Sequence, residues 1–158
     1  MTDTGIKYTL AIISISDKIN DESCADAISK LTEREGWDVK YRACVPFDDE
    51  KIKKELLYCT DELRVQLVLT LGGTGFAERD TVPEVTLSVT DREVPGIAEA
   101  MRAAGMLQTP MACLSRGRAG LRKRTLIVNL PGREKSATEN LTAVLVPLRH
   151  AGQMLSGI

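Results

Sequence analysis

The 158 residues include one histidine, one tryptophan, two phenylalanines and three tyrosines, and this scarcity removes several kinds of chemistry. His150 has no second histidine to share a metal, and a catalytic histidine normally has an orienting partner that His150 lacks in the sequence. So few aromatic rings leave little to stack on unpaired bases, which argues against RNA binding. An excess of one charge is also missing. There are 21 Lys and Arg against 22 Asp and Glu, a net charge of −1, whereas a duplex binder carries a positive excess. With 43% apolar residues, a chain of such low net charge is not a disordered one.

Cysteines are few and scattered: Cys24, Cys44, Cys59 and Cys113 form no Cys-x-x-Cys pair. They read as reduced, mostly buried thiols in a cytoplasmic protein, not as zinc ligands. Long apolar runs are absent as well. Stretches such as residues 10–13 fall far short of the about 18 residues that cross a bilayer. The polar first five residues carry no apolar stretch before a cleavage site, which argues against secretion. Neither a membrane nor a nucleic acid is expected as a partner.

What the sequence does contain is a regular alternation. Residues 7–16, 37–45 and 66–71 read as strands, the first and third because their apolar runs suit a strand covered on both faces. Residues 111–115 and 125–130 also read as strands. Helices are expected at 21–35, stopped by Gly36, at 48–63, at 82–90 opened by Pro83, at 97–107 after Pro95 and Gly96, and at 137–155. Pro147 falls inside the last helix and should bend it. Residues 116–124 are too charged for a core strand. The length fits one domain, residues 1–158, and the alternation predicts a three-layer α/β/α architecture with a mostly parallel, doubly wound sheet. In such sheets ligands sit beyond the carboxyl ends of the strands.

Five loops at those ends can carry chemistry. Gly72, Gly73, Thr74 and Gly75 follow a buried strand, and three glycines in four positions leave backbone amides bare enough to wrap an anion. The loop is neither a Walker A sequence nor a dinucleotide fingerprint, and a tight strand-to-helix turn is the plain alternative. Asp80, at the next helix start, can cap that helix or hold Mg2+ against phosphates, since magnesium takes one or two carboxylates plus phosphate oxygens and waters. Asp48, Asp49 and Glu50 suit a helix N-terminus and could place a second carboxylate beside Asp80. Ser115 begins a run with five cations in nine residues from Arg116 on, better matched to a small phosphorylated ligand than to a polynucleotide. Lys135 and Ser136, after Pro131 and Gly132, could hold a further phosphate where the last helix begins.

Together these pieces resemble a known family. The strings Ser14-Ile15-Ser16-Asp17, Gly72-Gly73-Thr74-Gly75 with Arg79-Asp80-Thr81-Val82-Pro83-Glu84, Pro95-Gly96 with Glu99 and Arg102, Leu114-Ser115-Arg116, and Asn129-Leu130-Pro131-Gly132 with Lys135 are similar, in order and spacing, to the MoaB/Mog family of molybdopterin adenylyltransferases. The resemblance implies a doubly wound domain, usually a homotrimer. It also implies attachment of AMP from Mg-ATP to molybdopterin, release of pyrophosphate, and hand-over to a molybdenum insertase. By position, Asp80 matches the family's essential acid. The second acid maps onto Asp48 with Ile52 kept in register, and Asp49 is the alternative because Phe47 resembles an insertion. Both Asp80 and Asp48 would hold magnesium. Gly72, Gly73, Thr74, Gly75, Ser115, Pro131, Gly132, Lys135 and Ser136 match the pterin and phosphate side, and Ser14, Ser16, Asp17 and Asp49 the nucleotide side. One departure is the stretch after Asp17, residues 18–23, which is shorter than in relatives and lacks their glycine. A carrier that binds molybdopterin without adenylating it is the alternative reading.

Overall fold

The computed structural model describes residues 5, 7–18 and 22–157. Leu67, Val68, Leu69, Thr70 and Leu71 form a strand in which all five residues are buried, as both-face burial of an apolar run requires. This strand, β3 (Leu67–Leu71), lies near the middle of a six-stranded sheet with β1 (Tyr8–Ile15), β2 (Trp37–Val45), β4 (Arg92–Glu93), β5 (Ala119–Arg122) and β6 (Thr125–Leu130). The order is β2-β1-β3-β6-β5-β4. The pairs β1/β2, β1/β3 and β3/β6 are parallel, while β5/β6 and β4/β5 are antiparallel.

Alternate residues feed two cores. Leu10, Ile12, Leu69 and Val128 pack with Ile28 of α1 (Ser23–Arg34), Met101 of α4 (Pro95–Met106) and Leu141, Val144 and Leu148 of α5 (Glu134–Leu155). Ala11, Ile13, Val68 and Ile127 face the other way, onto Ile52 and Leu56 of α2 (Asp49–Leu57) and Val82, Val85 and Val89 of α3 (Val82–Val89). This is the expected three-layer α/β/α arrangement. Each fully buried Leu or Ile contributes about 2 kcal/mol, so the helices are held chiefly by these apolar stripes.

Two expectations are overturned. Residues 111–115 are not a strand: Pro110–Leu114 is a 3-10 turn. The Thr109 hydroxyl accepts from the Met111 amide at 3.3 Å, and the tight turn brings Ala112 against Gly105, where an added Cβ would meet Ala112 Cβ at 2.8 Å. Within 116–124, residues 119–122 do form a strand. Its charges are met from outside the segment, Arg118 by Glu93 and Arg122 by Asp61 at 2.8 Å, while Ala119 and Gly120 are buried. The cysteines also differ from expectation. Cys59 is buried, Cys24 and Cys44 are partly buried, and Cys113, on the 3-10 turn at the protein's rim, is exposed. The remaining boundaries agree closely. The predicted first residue of the first helix, Asp21, and part of the 18–23 stretch lie outside the described residues. The last helix runs through Pro147 without a break.

The chain visits β1 and β2 on one side, then crosses back to β3 on the other side of β1. That reversal opens a crevice at the carboxyl ends of β1 and β3, where Ser16, Asp17 and the glycine loop lie.

Candidate active site

The glycine loop leaves β3 through two left-handed residues, Gly72 at φ +103° and Gly73 at φ +71°. A side chain is shut out at both. A Cβ on Gly72 would lie 2.9 Å from the Ile15 carbonyl oxygen, and one on Gly73 would collide with Val82 Cγ2. The loop therefore nests between the end of β1 and the start of α3. Gly132, after β6, also comes close: its Cβ would be 3.3 Å from Gly72 Cα.

Gly75 is the junction of the site. On one side it lines a cleft of 520 Å³ together with Thr74, Ser115, Pro131 and Ser136. On the other, a Cβ at Gly75 would lie 2.9 Å from Asp80 Oδ2. The Asp80 carboxylate accepts the Ala77 amide at 3.0 Å, closing a short turn that aims it at the loop. Five expected substrate residues thus share one cavity. Gly72 and Gly73 form the buried base of the loop, and Gly132 and the exposed Lys135 lie at the start of α5 outside the cavity wall.

Two of the expected nucleotide residues, Asp17 and Asp49, link to residues next to Asp80. Asp49 Oδ1 accepts the Thr81 hydroxyl, tying the first residue of α2 to the residue after Asp80. Asp48 caps α2, its Oδ1 accepting the Lys51 amide at 3.0 Å. Asp17 pairs with Arg79 at 2.6 Å. Ser16 Oγ accepts the Lys18 amide at 3.0 Å, and Ser14 sits half-buried at the end of β1, in register with Leu71.

Two cations of the basic run, Arg116 and Arg118, are otherwise employed. Arg116 Nε donates to the Gly75 carbonyl at 2.8 Å, its Nη2 donates to the Asp80 carbonyl, and its Nη1 reaches both Glu84 oxygens at 2.9 Å. Its own amide donates to the Thr74 carbonyl at 3.0 Å. Arg116 is a brace for the glycine loop, and Arg118 is paired with Glu93. Sequence reading also gave no role to two residues that matter. Arg102 Nη1 donates to the carbonyls of Ser115 (3.3 Å) and Gly117 (2.8 Å), fixing the cleft wall. Asn129, fully buried, donates to Thr70 Oγ1 at 3.0 Å and Thr86 Oγ1 at 2.9 Å, and accepts the Arg118 amide at 3.0 Å. Both residues stand in the motif strings, but their partners are distant in sequence.

Thiols take no part. Burial pushes the Cys59 thiol up to about 12, and burial likewise raises Cys44. Among the described residues no cysteine lines the cleft.

The chain as a whole has counterparts among known proteins. The MoCF_biosynth family model, described as "Probable molybdopterin binding domain", matches residues 11–150. The chain belongs to this family. Among MoCF_biosynth relatives, the molybdopterin adenylyltransferase of Escherichia coli K12 is 46% identical over 100 residues, 63% of this chain and 51% of that one. The molybdopterin adenylyltransferase of Helicobacter pylori is 40% identical over 117 residues, 74% of this chain and 66% of that one. The match thus spans about half the length of the Escherichia coli relative. A crystal structure of the molybdopterin biosynthesis enzyme MoaB from Thermus thermophilus superposes with a TM-score of 0.90 at 44% identity, covering 96% of this chain and 98% of that one. No helix among the described residues is long and apolar enough to cross a membrane.

Proposed function

We propose that this MoCF_biosynth chain transfers AMP from ATP to molybdopterin and releases pyrophosphate, a step of molybdenum cofactor biosynthesis before metal insertion. The observation that carries this reading is Gly75, with a substrate-sized cleft on one side and the Asp80 carboxylate on the other. The names borne by the Escherichia coli and Helicobacter pylori relatives support it.

The cleft takes the pterin, with Ser115, Ser136 and the backbone of residues 74–75 available to its polar groups. Its terminal phosphate then lies against the amides of the glycine loop, and Lys135 at the first turn of α5 adds positive charge. ATP lies on the acid side, near Ser14, Ser16, Asp17 and Asp49. An oxygen of the molybdopterin phosphate attacks the α-phosphorus of ATP. That P–O bond forms as the bond to the leaving pyrophosphate breaks, and pyrophosphate takes the electron pair. The protein's work is to align two polyanions and offset charge, which needs no covalent nucleophile.

The donor set fits magnesium. Asp80, beside the glycine loop, and Asp48, at the start of α2, would offer hard carboxylate oxygens, with Asp49 the alternative to Asp48. Among the described residues no group of three or more His, Cys, Asp or Glu forms a metal cage. An ion that arrives with phosphate ligands needs only one or two carboxylates. When bound there, magnesium would neutralise charge on the ATP phosphates. Assembly as a homotrimer and hand-over to a molybdenum insertase belong to the same reading and rest on family likeness, while a cytoplasmic location and a single domain over 1–158 rest on the thiols, the absence of a leader-like stretch and the length.

The test is to mix the protein with molybdopterin and Mg-ATP and follow pyrophosphate. Stoichiometric release that depends on molybdopterin is expected. Tight retention of molybdopterin with no pyrophosphate would make the chain a carrier instead.

A further inference from the structure

Asp17 and Asp49 meet Arg79 and Thr81, the residues on either side of Asp80, so on the proposed reading a triphosphate lies among carboxylates. The guanidinium groups of Arg116 and Arg118 are committed to Glu84, Glu93 and the loop carbonyls. Arg79 is in a different situation. Its guanidinium lies over the Phe47 ring, 4.2 Å from the centroid, and its ion-pair partner is Asp17 at 2.6 Å. Both side chains are more than half exposed, 60% for Arg79 and 57% for Asp17. Phe47 in turn approaches the loop, since a Cβ on Gly73 would lie 3.8 Å from Phe47 Cε1.

We infer that Arg79 is the phosphate-binding cation of the nucleotide subsite, stacked in place by Phe47 and held by Asp17 until a nucleotide's phosphate replaces that carboxylate. This inference rests on the adenylyltransferase reading. Its physics is an exchange of acceptors. An exposed Arg–Asp pair is worth little, so losing it costs little. A phosphate offers the guanidinium two parallel charge-assisted hydrogen bonds, which are stronger. Stacking on Phe47 covers the face of the guanidinium and leaves its N–H edge free, so less freedom is lost on binding. Asp17 is thus a stand-in for substrate. Phe47 is the platform that positions Arg79.

The experiment is titration calorimetry of the full chain with Mg-ATP and, separately, with adenosine, which has no phosphate. For Arg79→Ala the expected result is ATP binding weakened about tenfold, ~1.4 kcal/mol, with adenosine binding and melting temperature unchanged. Asp17→Asn removes the competing carboxylate and should tighten ATP binding by about threefold without altering adenosine binding. Phe47→Leu should weaken ATP binding less than Arg79→Ala does. ATP affinity unchanged in Arg79→Ala, or weakened in Asp17→Asn, overturns the assignment of Arg79 alone. A wild-type chain that binds no Mg-ATP overturns the adenylyltransferase reading and this inference with it.

Discussion

On the cleft side of Gly75, Arg102 and Arg116 are tied into the fold by several acceptors, whereas on the acid side the charged groups stand at loop ends in pairwise links. Arg116 alone holds the Gly75 and Asp80 carbonyls and the Glu84 carboxylate, and Arg102 holds the carbonyls of Ser115 and Gly117. Opposite them, Asp17 meets Arg79, and Asp49 meets Thr81. On the proposed reading, the difference follows from what each side would do. A pterin is recognised by shape, which a braced wall supplies in advance. A triphosphate with its metal brings its own charge, so the groups that receive it must be able to exchange partners.

Substitutions can break this contrast, beginning with the largest expected effect. Gly73→Ala places a methyl group against Val82 at a positive φ, so the loop must shift. AMP transfer should fall about a hundredfold, because displacement of about 1 Å is enough to spoil alignment. A variant with normal turnover would show that the loop backbone does not set the geometry. Asn129→Ala removes two buried hydrogen bonds, to Thr70 and Thr86, and a partly buried one from the Arg118 amide. Urea unfolding should show a loss of about 3 kcal/mol, with weaker molybdopterin binding in parallel. Arg116→Ala should lower kcat/KM for molybdopterin about tenfold, while Glu84→Gln, which loses only an exposed ion pair, stays within about twofold of wild type. Asp48→Ala should cost about 1 kcal/mol through the lost α2 cap, seen as a lower melting temperature.

The last substitution lies outside the cleft lining and serves as a control. The Arg122 guanidinium holds the Asp61 carboxyl well below the usual carboxylate range. A depressed folded-state pKa stabilises the fold above the ordinary carboxylate value, and that contribution is lost as pH falls through the folded value. Asp61→Asn should therefore cost about 1 kcal/mol at neutral pH. Its stability and that of wild type should converge in strong acid, with AMP transfer at neutral pH unchanged.

The parallel half of the sheet was readable in the sequence because β1, β3 and β6 are buried on both faces and so carry continuous apolar runs. The antiparallel edge was not. Arg118 and Arg122 look incompatible with a strand until Glu93 and Asp61, 25 and 61 residues away, are brought to them. Residues 111–115 misled in the opposite direction, since a short, mostly apolar run reads as strand until its Thr109 cap and Gly105 contact are seen. The same division holds within the site. Thr74, Gly75, Ser115, Pro131 and Ser136 were legible as loop chemistry and do share one cleft. The bracing roles of Arg102, Arg116 and Asn129 were not, because a long side chain's acceptors are chosen by the fold.

The central claim is that molybdopterin and ATP meet across Gly75 with Asp80 serving the nucleotide side alone. Asp80→Ala, incubated with molybdopterin and Mg-ATP and examined by mass spectrometry under native conditions, tests it most directly. The account predicts a folded protein carrying unmodified molybdopterin and no AMP adduct. Adduct formed at the wild-type rate, or a variant that no longer holds molybdopterin, would contradict it.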